Sequence, residues 1–466
     1  MERSPHVVTG VPPTTAAALS ARLDRLPVMA PHLVWISILT VNLSFEYYDN
    51  ALFAYILPAI MANSGLSLDQ TGMVSSAFFV GMILGALFGG RLSDRLGRRR
   101  VLTWATVVYS LGALLTSVSS DYDLMLVSRV ITGIGVQAAT SALLAYIAEM
   151  FPSKSRGRFV SVVTGAFVIV APLVGALAFY LVPGGGPDMW RHLFAVGGAG
   201  LLVAPMCRLL LPESVRWYAS RGQIDKGEEI VRRLEARALR RGPLPEPHLI
   251  EAGARRLGLR DIFGNRRMLF TVLVLSAGYF GSTLGLYLYQ NWSTYVLVDG
   301  LGYNESTAYG IIMTWSIVYA VTPFLALVLM DRIERKTLVL SMSVISALPI
   351  LLLGLSTDNT VVLVAGGAAG IVTGIVLTVY YAYIPETIPT EARGLGSGII
   401  ISIGRVCGAA SGVLGAALYA GWGRAGLMGV AAASYVVFSI VVLLFGPRTT
   451  NRPLEGVTAD DLSAAK

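Results

Sequence analysis

Tyr146-Ile-Ala-Glu149-Met-Phe-Pro152-Ser-Lys-Ser-Arg156-Gly157 returns 237 positions later as Tyr383-Ile-Pro-Glu386-Thr-Ile-Pro389-Thr-Glu-Ala-Arg393-Gly394. The same offset carries Asp94 and Arg95 onto Asp331 and Arg332, and Arg98 and Arg99 onto Arg335 and Lys336. Unrelated loops do not keep one register across so many landmarks. The chain therefore reads as two copies of one ancestral unit.

Composition says where such a doubled unit resides. Of the 466 residues 54% are hydrophobic and 14% charged, and the mean hydropathy is +0.65. That leaves too little polar surface to coat a soluble globule. Twelve apolar runs recur, each about as long as a helix that crosses roughly 30 Å of hydrocarbon. The first six lie at 33–61, 72–89, 101–118, 124–151, 159–182 and 193–211. The second six lie at 268–296, 308–330, 338–355, 361–384, 396–420 and 426–445. The expectation is an all-α membrane protein of two six-helix bundles, 33–211 and 268–446. Residues 1–32 and 447–466 are then polar tails, and 212–267 a linker whose Gln223–Arg241 stretch has the pattern of an amphipathic helix.

Lysine and arginine set the orientation. Of 36, all but Arg129, Arg191, Arg405 and Arg424 fall in or beside the tails, the linker or every second connection. The positive-inside rule places both termini in the cytoplasm of a multi-pass cell-membrane protein. The net charge of +8 follows from this bias and calls for no nucleic-acid partner. The two cysteines imply no disulfide framework. Nothing in the sequence has the form of a P-loop, a metal-spaced His/Cys set or a nucleophile elbow, so no enzyme, metal or cofactor is expected.

Gly90-Arg-Leu-Ser-Asp94-Arg95-Leu-Gly97-Arg98-Arg99 packs glycines and charges into the turn between spans two and three. Glycine permits a tight reversal and close helix approach, and a charge cluster made in one conformation and parted in another can latch a moving body. Glu149, Arg156, Asp331, Arg332, Glu386 and Arg393 are placed to join such networks.

On these residues the chain resembles the major facilitator superfamily. Gly90 to Arg99 looks like its signature loop, and Arg129-Val-Ile-Thr-Gly133-Ile-Gly135 is similar to its fourth-helix signature. Pro212-Glu213-Ser214-Val215-Arg216-Trp217 and the paired Tyr-x-x-Glu elements narrow the resemblance to the branch of sugar porters, organic-ion carriers and aromatic-acid/proton symporters. The resemblance implies a central cavity, alternating access, a small-molecule substrate, and a monomer in the bilayer.

Substrate class is sought where the halves differ. By the offset Glu46, Asp49, Arg129 and Arg405 fall opposite Thr283, Leu286, Gly366 and Val168, so these charges are not shared scaffold. A charge deep in a span costs at least about 2.5 kcal/mol unless paired or wetted. Glu46 and Asp49 share one helical face and are the candidate proton carriers, since all four histidines lie outside the apolar cores. Arg129 and Arg405 offer a planar fork to a carboxylate. A buried ion pair between Asp49 and an arginine is the other reading of the same residues.

Phe45-Glu46-Tyr47-Tyr48-Asp49 looks like the acidic first-helix signature of the aromatic-acid symporters, with Glu at the first acid and Tyr47 for its glycine. Asn291-Trp292 is similar to the dipeptide opening that group's seventh-helix motif. Only Gln290 matches the paired glutamines of sugar porters. Asn291, Trp292, Tyr287 and Tyr380 join the arginines as candidate substrate residues. The expected function is proton-coupled import of a small organic acid, with an aromatic carboxylate as the form the resemblance implies. Sugar or polyol symport and drug or metabolite efflux remain the alternatives, the latter on the partial resemblance of Gly165 to Gly175 to an antiporter signature.

Overall fold

The computed structural model describes residues 15–247, 258–389 and 392–447. The expectations for His6, His248 and the C-terminal tail from 448 onward lie outside the described residues. All twelve expected spans are helical. The first runs Ala30–Tyr55 and resumes as Leu57–Ser64, with Ile56 off the helical geometry. The cause is Pro58, which lacks an N–H and disfavours helical backbone in the residues before it. Spans two, three and four are Leu68–Leu96, Arg98–Val118 and Tyr122–Met150. Span five is Ser153–Thr164 with Phe167–Leu181, and span six is Met189–Gly197 with Gly200–Leu210.

In the second half, span seven is Arg266–Tyr295, finishing in a wide turn at Val296–Gly300. Span eight is Glu305–Tyr319 with Thr322–Met330, nine is Arg335–Leu355 and ten is Asn359–Glu386. Spans eleven and twelve share the run Arg393–Phe445, turned at Gly423, whose φ of 61° a residue with a Cβ adopts only under strain. Several helices outrun their apolar cores. Span two was expected over 72–89 and continues through Arg91, Asp94 and Arg95, because charged side chains at a helix end snorkel into water while the backbone goes on winding.

The two halves touch mainly at the end far from the charged loops. There a Cβ on Gly72 would lie 2.6 Å from the Gly412 carbonyl, and one on Gly412 would lie 2.3 Å from both the Gly72 carbonyl and Ser76 Oγ. Spans two and eleven thus meet backbone to backbone, and the Val413 N–H donates to Ser76 Oγ across the seam at 3.1 Å. Nearby, Tyr55 and Ser316 hydroxyls bond at 2.8 Å, and Gly175 admits Met313. Gly412→Val is expected to prevent this closure. A clash of that kind costs about 1–3 kcal/mol, which shifts the balance of states by roughly five- to 150-fold. Labelling of a Ser76→Cys reporter by a membrane-impermeant maleimide should rise accordingly; unchanged labelling would mean the seam is not the closing contact.

At the opposite end the linker is folded onto the first half. Its helices are Val215–Ser220 and Ile224–Leu239, the second burying Val231, Leu234, Glu235 and Ala238 along one face. The N-terminal segment, read from sequence as a polar tail, contains a helix, Ala16–Asp24, capped by Thr15, with Leu19 and Leu23 buried. Its partner is the linker, some 200 residues later in sequence, so no local signal announces it. Arg22 reaches Glu228 and Glu235 at 2.7 and 2.6 Å, Arg25 reaches Glu235 at 2.6 Å, and Asp24 takes Arg156 and Arg216 at 2.9 and 3.2 Å.

Burial opposes charge on Glu235, yet the hydrogen bonds from Arg22 and Arg25 outweigh it and hold the carboxyl below the usual carboxylate range. A carboxyl lowered on folding stabilises above its unfolded value, about 4.3, and that contribution is lost as pH falls through the folded one. The brace should therefore stay intact at neutral and mildly acidic pH and loosen only in strong acid. Glu235→Gln should release it at neutral pH. Limited proteolysis near residue 25 reads the difference, and equal cleavage of variant and parent at pH 7 would contradict it.

Candidate functional site

The site is built on the middle of spans one, four and eleven. Arg405 follows the start of its helix at Arg393 by twelve residues, about 18 Å at 1.5 Å per residue, deeper than the 396 start implied. Even so its side chain is 25% exposed, and Tyr381 on span ten is half exposed. Their exposure, beside Glu46 of the other half, marks a cleft between the halves at this depth. Tyr287, Tyr381 and Tyr279 lie close enough to the guanidinium to feel its charge. Across the cleft, Glu46 of the first half is buried with Oε1 3.9 Å from Arg405 Nη2. Its Oε2 accepts a hydrogen bond from Thr140 on span four. The structure thus brings Glu46 and Arg405 together from the two halves.

Asp49, one turn further along span one, is held elsewhere. Its Oδ2 accepts from Arg129 Nη1 at 2.5 Å, and both side chains are almost wholly buried. The Arg129 guanidinium lies 4.5, 5.0 and 5.7 Å from the rings of Phe78, Phe53 and Phe194. This is a charge pair in an aromatic box, the second of the two readings open at the sequence level. It sits inside the first half with no face on Arg405, so the two arginines do not converge on one ligand in this state.

The other expected substrate residues divide. Tyr287 stacks edge-on against Phe79 across the halves at 4.9 Å and borders Arg405. Tyr380 is fully buried behind Tyr279, ring centroids 5.5 Å apart, while its neighbour Tyr381 faces the cleft. Which of two adjacent tyrosines points inward depends on the rotation of span ten, and apolar patterning in a helix hydrophobic all round does not fix that rotation. Asn291 Nδ2 and Trp292 Nε1 both donate to Ser411, at 3.2 and 3.0 Å, and Trp292 fills the notch left by Gly415. They pin span seven to span eleven. Thr140 was missed altogether, although it falls opposite Leu377 by the repeat offset and so passes the same filter as the charges.

The charged loops form two related clusters. Arg98 Nη2 donates to Asp94 and Glu149 at 2.8 Å each, and Glu149 also accepts from Ser214 of the linker. The Arg99 N–H donates to Glu213 at 3.0 Å. Gly97 has φ of 104°, and a Cβ there would press on Glu213 at 2.3 Å. Gly90, by contrast, has open space; the close approach to span four is made by Gly81, Gly85 and Gly89, a correction of register. Arg335 repeats the Arg98 role by pairing with Glu386 at 3.3 Å, as the offset requires. Tyr146 and Tyr383 both donate to carbonyls just beyond the last span of their half, Pro212 and Pro447, at 3.0 and 2.5 Å. Arg156 turns to Asp24 rather than to Glu149. Arg95, Asp331 and Arg332 are exposed, and Arg393 heads span eleven.

A family model described as sugar (and other) transporter matches residues 37–460. The chain belongs to this transporter family. It is 30% identical to the gallate transporter of Pseudomonas putida, over 82% of this chain and 84% of that one. It is 29% identical to the 3-(3-hydroxy-phenyl)propionate transporter of Escherichia coli, over 81% and 85%. Among solved structures, a D-xylose-proton symporter covers 90% of this chain and is itself covered to 99%, with a TM-score of 0.71 at 19% identity. This family member is therefore a multi-pass membrane transporter of the twelve-helix major facilitator fold, and not an enzyme.

Proposed function

We propose that this transporter imports a small organic acid, an aromatic carboxylate, together with protons. The observation that carries the reading is Arg405, a permanent cation part-exposed in the cleft, whose pair with Glu46 across the cleft is loose, at 3.9 Å beyond hydrogen-bonding distance. A guanidinium so placed keeps donors free for a planar bidentate acceptor, which a carboxylate supplies and a sugar hydroxyl does not. The tyrosines around it suit an aromatic body. The likeness to the gallate transporter supports the same class, gallate being an aromatic carboxylate.

Coupling follows from charge balance. When a substrate carboxylate takes Arg405, Glu46 is left buried without its cation, and a lone carboxylate in such surroundings costs several kcal/mol unless it takes a proton. Proton and anion then load together. Asp49 is the second proposed proton site, because its protonation would unlock Arg129. Both termini and the charged loops lie on the cytoplasmic face of the cell membrane, and the ion pairs of Arg98 and Arg335, each made within its own half, are the proposed latch on that side.

Sugar symport is the second reading, on the likeness to the D-xylose-proton symporter. Proteoliposomes under an imposed pH gradient decide between them, offered benzoate and hydroxybenzoates, xylose, and a cationic drug. Protonophore-sensitive accumulation of the acids is expected. Accumulation of xylose or the drug without the acids would overturn the proposal.

A further inference from the structure

Glu46 is held from both sides of the cleft, and the two grips are unequal. Arg405 belongs to the second half and stands 3.9 Å off, so this grip is lost whenever the halves part. Thr140 belongs to the first half, as Glu46 does, and bonds it directly. The Thr140 hydroxyl has one proton and two acceptors in reach, Glu46 Oε2 and the Val136 carbonyl one turn back at 3.0 Å. A charged acceptor takes that proton in preference to a neutral one. Should Glu46 move away, the hydroxyl falls back on Val136, leaving no buried donor orphaned. Thr140 can thus hold and release Glu46 at little cost.

We infer that Thr140 is a positioning residue that keeps the Glu46 carboxylate short of Arg405, so that the guanidinium has donors free for an incoming carboxylate. The inference rests on the reading of Arg405 given above. Without Thr140, Glu46 closes on Arg405 as a direct charge-assisted pair, and the ligand has to displace it. Removal of the hydroxyl then acts as an internal competitor. KM for a carboxylate rises while turnover at saturation stays near that of the parent.

The test uses the purified full-length protein with benzoate as probe and Thr140→Val, Thr140→Ser and Glu46→Gln, the valine being nearly the same size. Thr140→Val should raise the benzoate KM roughly three- to tenfold, the range of one modest hydrogen-bonding change. Its kcat should stay within about twofold, and Thr140→Ser should restore the parent value. In the Glu46→Gln background the valine should have no further effect on KM, because the competitor is gone. An equal loss in that background, or none in the parent, overturns the inference. A second readout needs no substrate: the infrared carboxylate band that Glu46→Gln abolishes should move in Thr140→Val and stay in Thr140→Ser. A band that moves in a protein that binds no benzoate would uphold the role of Thr140 and sink the carboxylate reading. A band that stays put in Thr140→Val sinks the role of Thr140 whatever the protein binds.

Discussion

Asp49→Asn is expected to abolish pH-driven accumulation and to cost about 3–5 kcal/mol of stability, the usual penalty for removing one partner of a buried charge pair. The parent pair is 2.5 Å long and closed off by Phe53, Phe78 and Phe194. Asparagine keeps the shape and removes the charge, so Arg129 is left as an uncompensated cation. Its three rings return only about 0.5–2 kcal/mol by cation–π attraction, less than the loss. The unfolding midpoint in detergent measures the first effect, and substrate exchange without a gradient separates coupling from folding. Exchange should persist at least in part. Asp49→Asn combined with Arg129→Gln should recover most of the stability, since no net charge is then buried, but not the accumulation. Normal gradient-driven uptake by either variant would remove Asp49 from the coupling mechanism.

Arg405 carries the second large effect. Arg405→Lys keeps the charge but loses the planar fork, and should weaken carboxylate binding by roughly 1–3 kcal/mol, the value of a charge-assisted hydrogen bond. Arg405→Ala should weaken it further while leaving the fold in place, because the side chain borders a cleft and makes no short ion pair. Binding of benzoate and of benzamide to the parent gives the control. Equal affinity for acid and amide would take the carboxylate off Arg405 and favour the sugar reading.

The repeat made much of the chain legible. Tyr146 and Tyr383, Arg98 and Arg335, Glu149 and Glu386 recur because each half has to solve the same problem, tying the end of its fourth span to the turn after its second and to the segment beyond its last. The converse marks the candidate site. Glu46, Asp49, Arg129 and Arg405 stand out by lacking counterparts, and the structure gathers them into two clusters in the membrane interior.

The number of spans, the doubling and the identity of the charges within the spans were determined by the sequence alone, because hydrophobic length and charge cost act locally along one helix. Which charge meets which was decided only in three dimensions. Arg129 and Arg405 look alike in sequence, yet one faces a wall of phenylalanines within its own half and the other a cleft between halves. The choice of Tyr381 over Tyr380, the spending of Asn291 and Trp292 on Ser411, and the grip of Thr140 on Glu46 depend on how each helix is rotated about its axis. Rotation is set by packing against neighbours far away in the chain, as at the Gly72 and Gly412 seam, and a helix apolar on every face carries no local record of it.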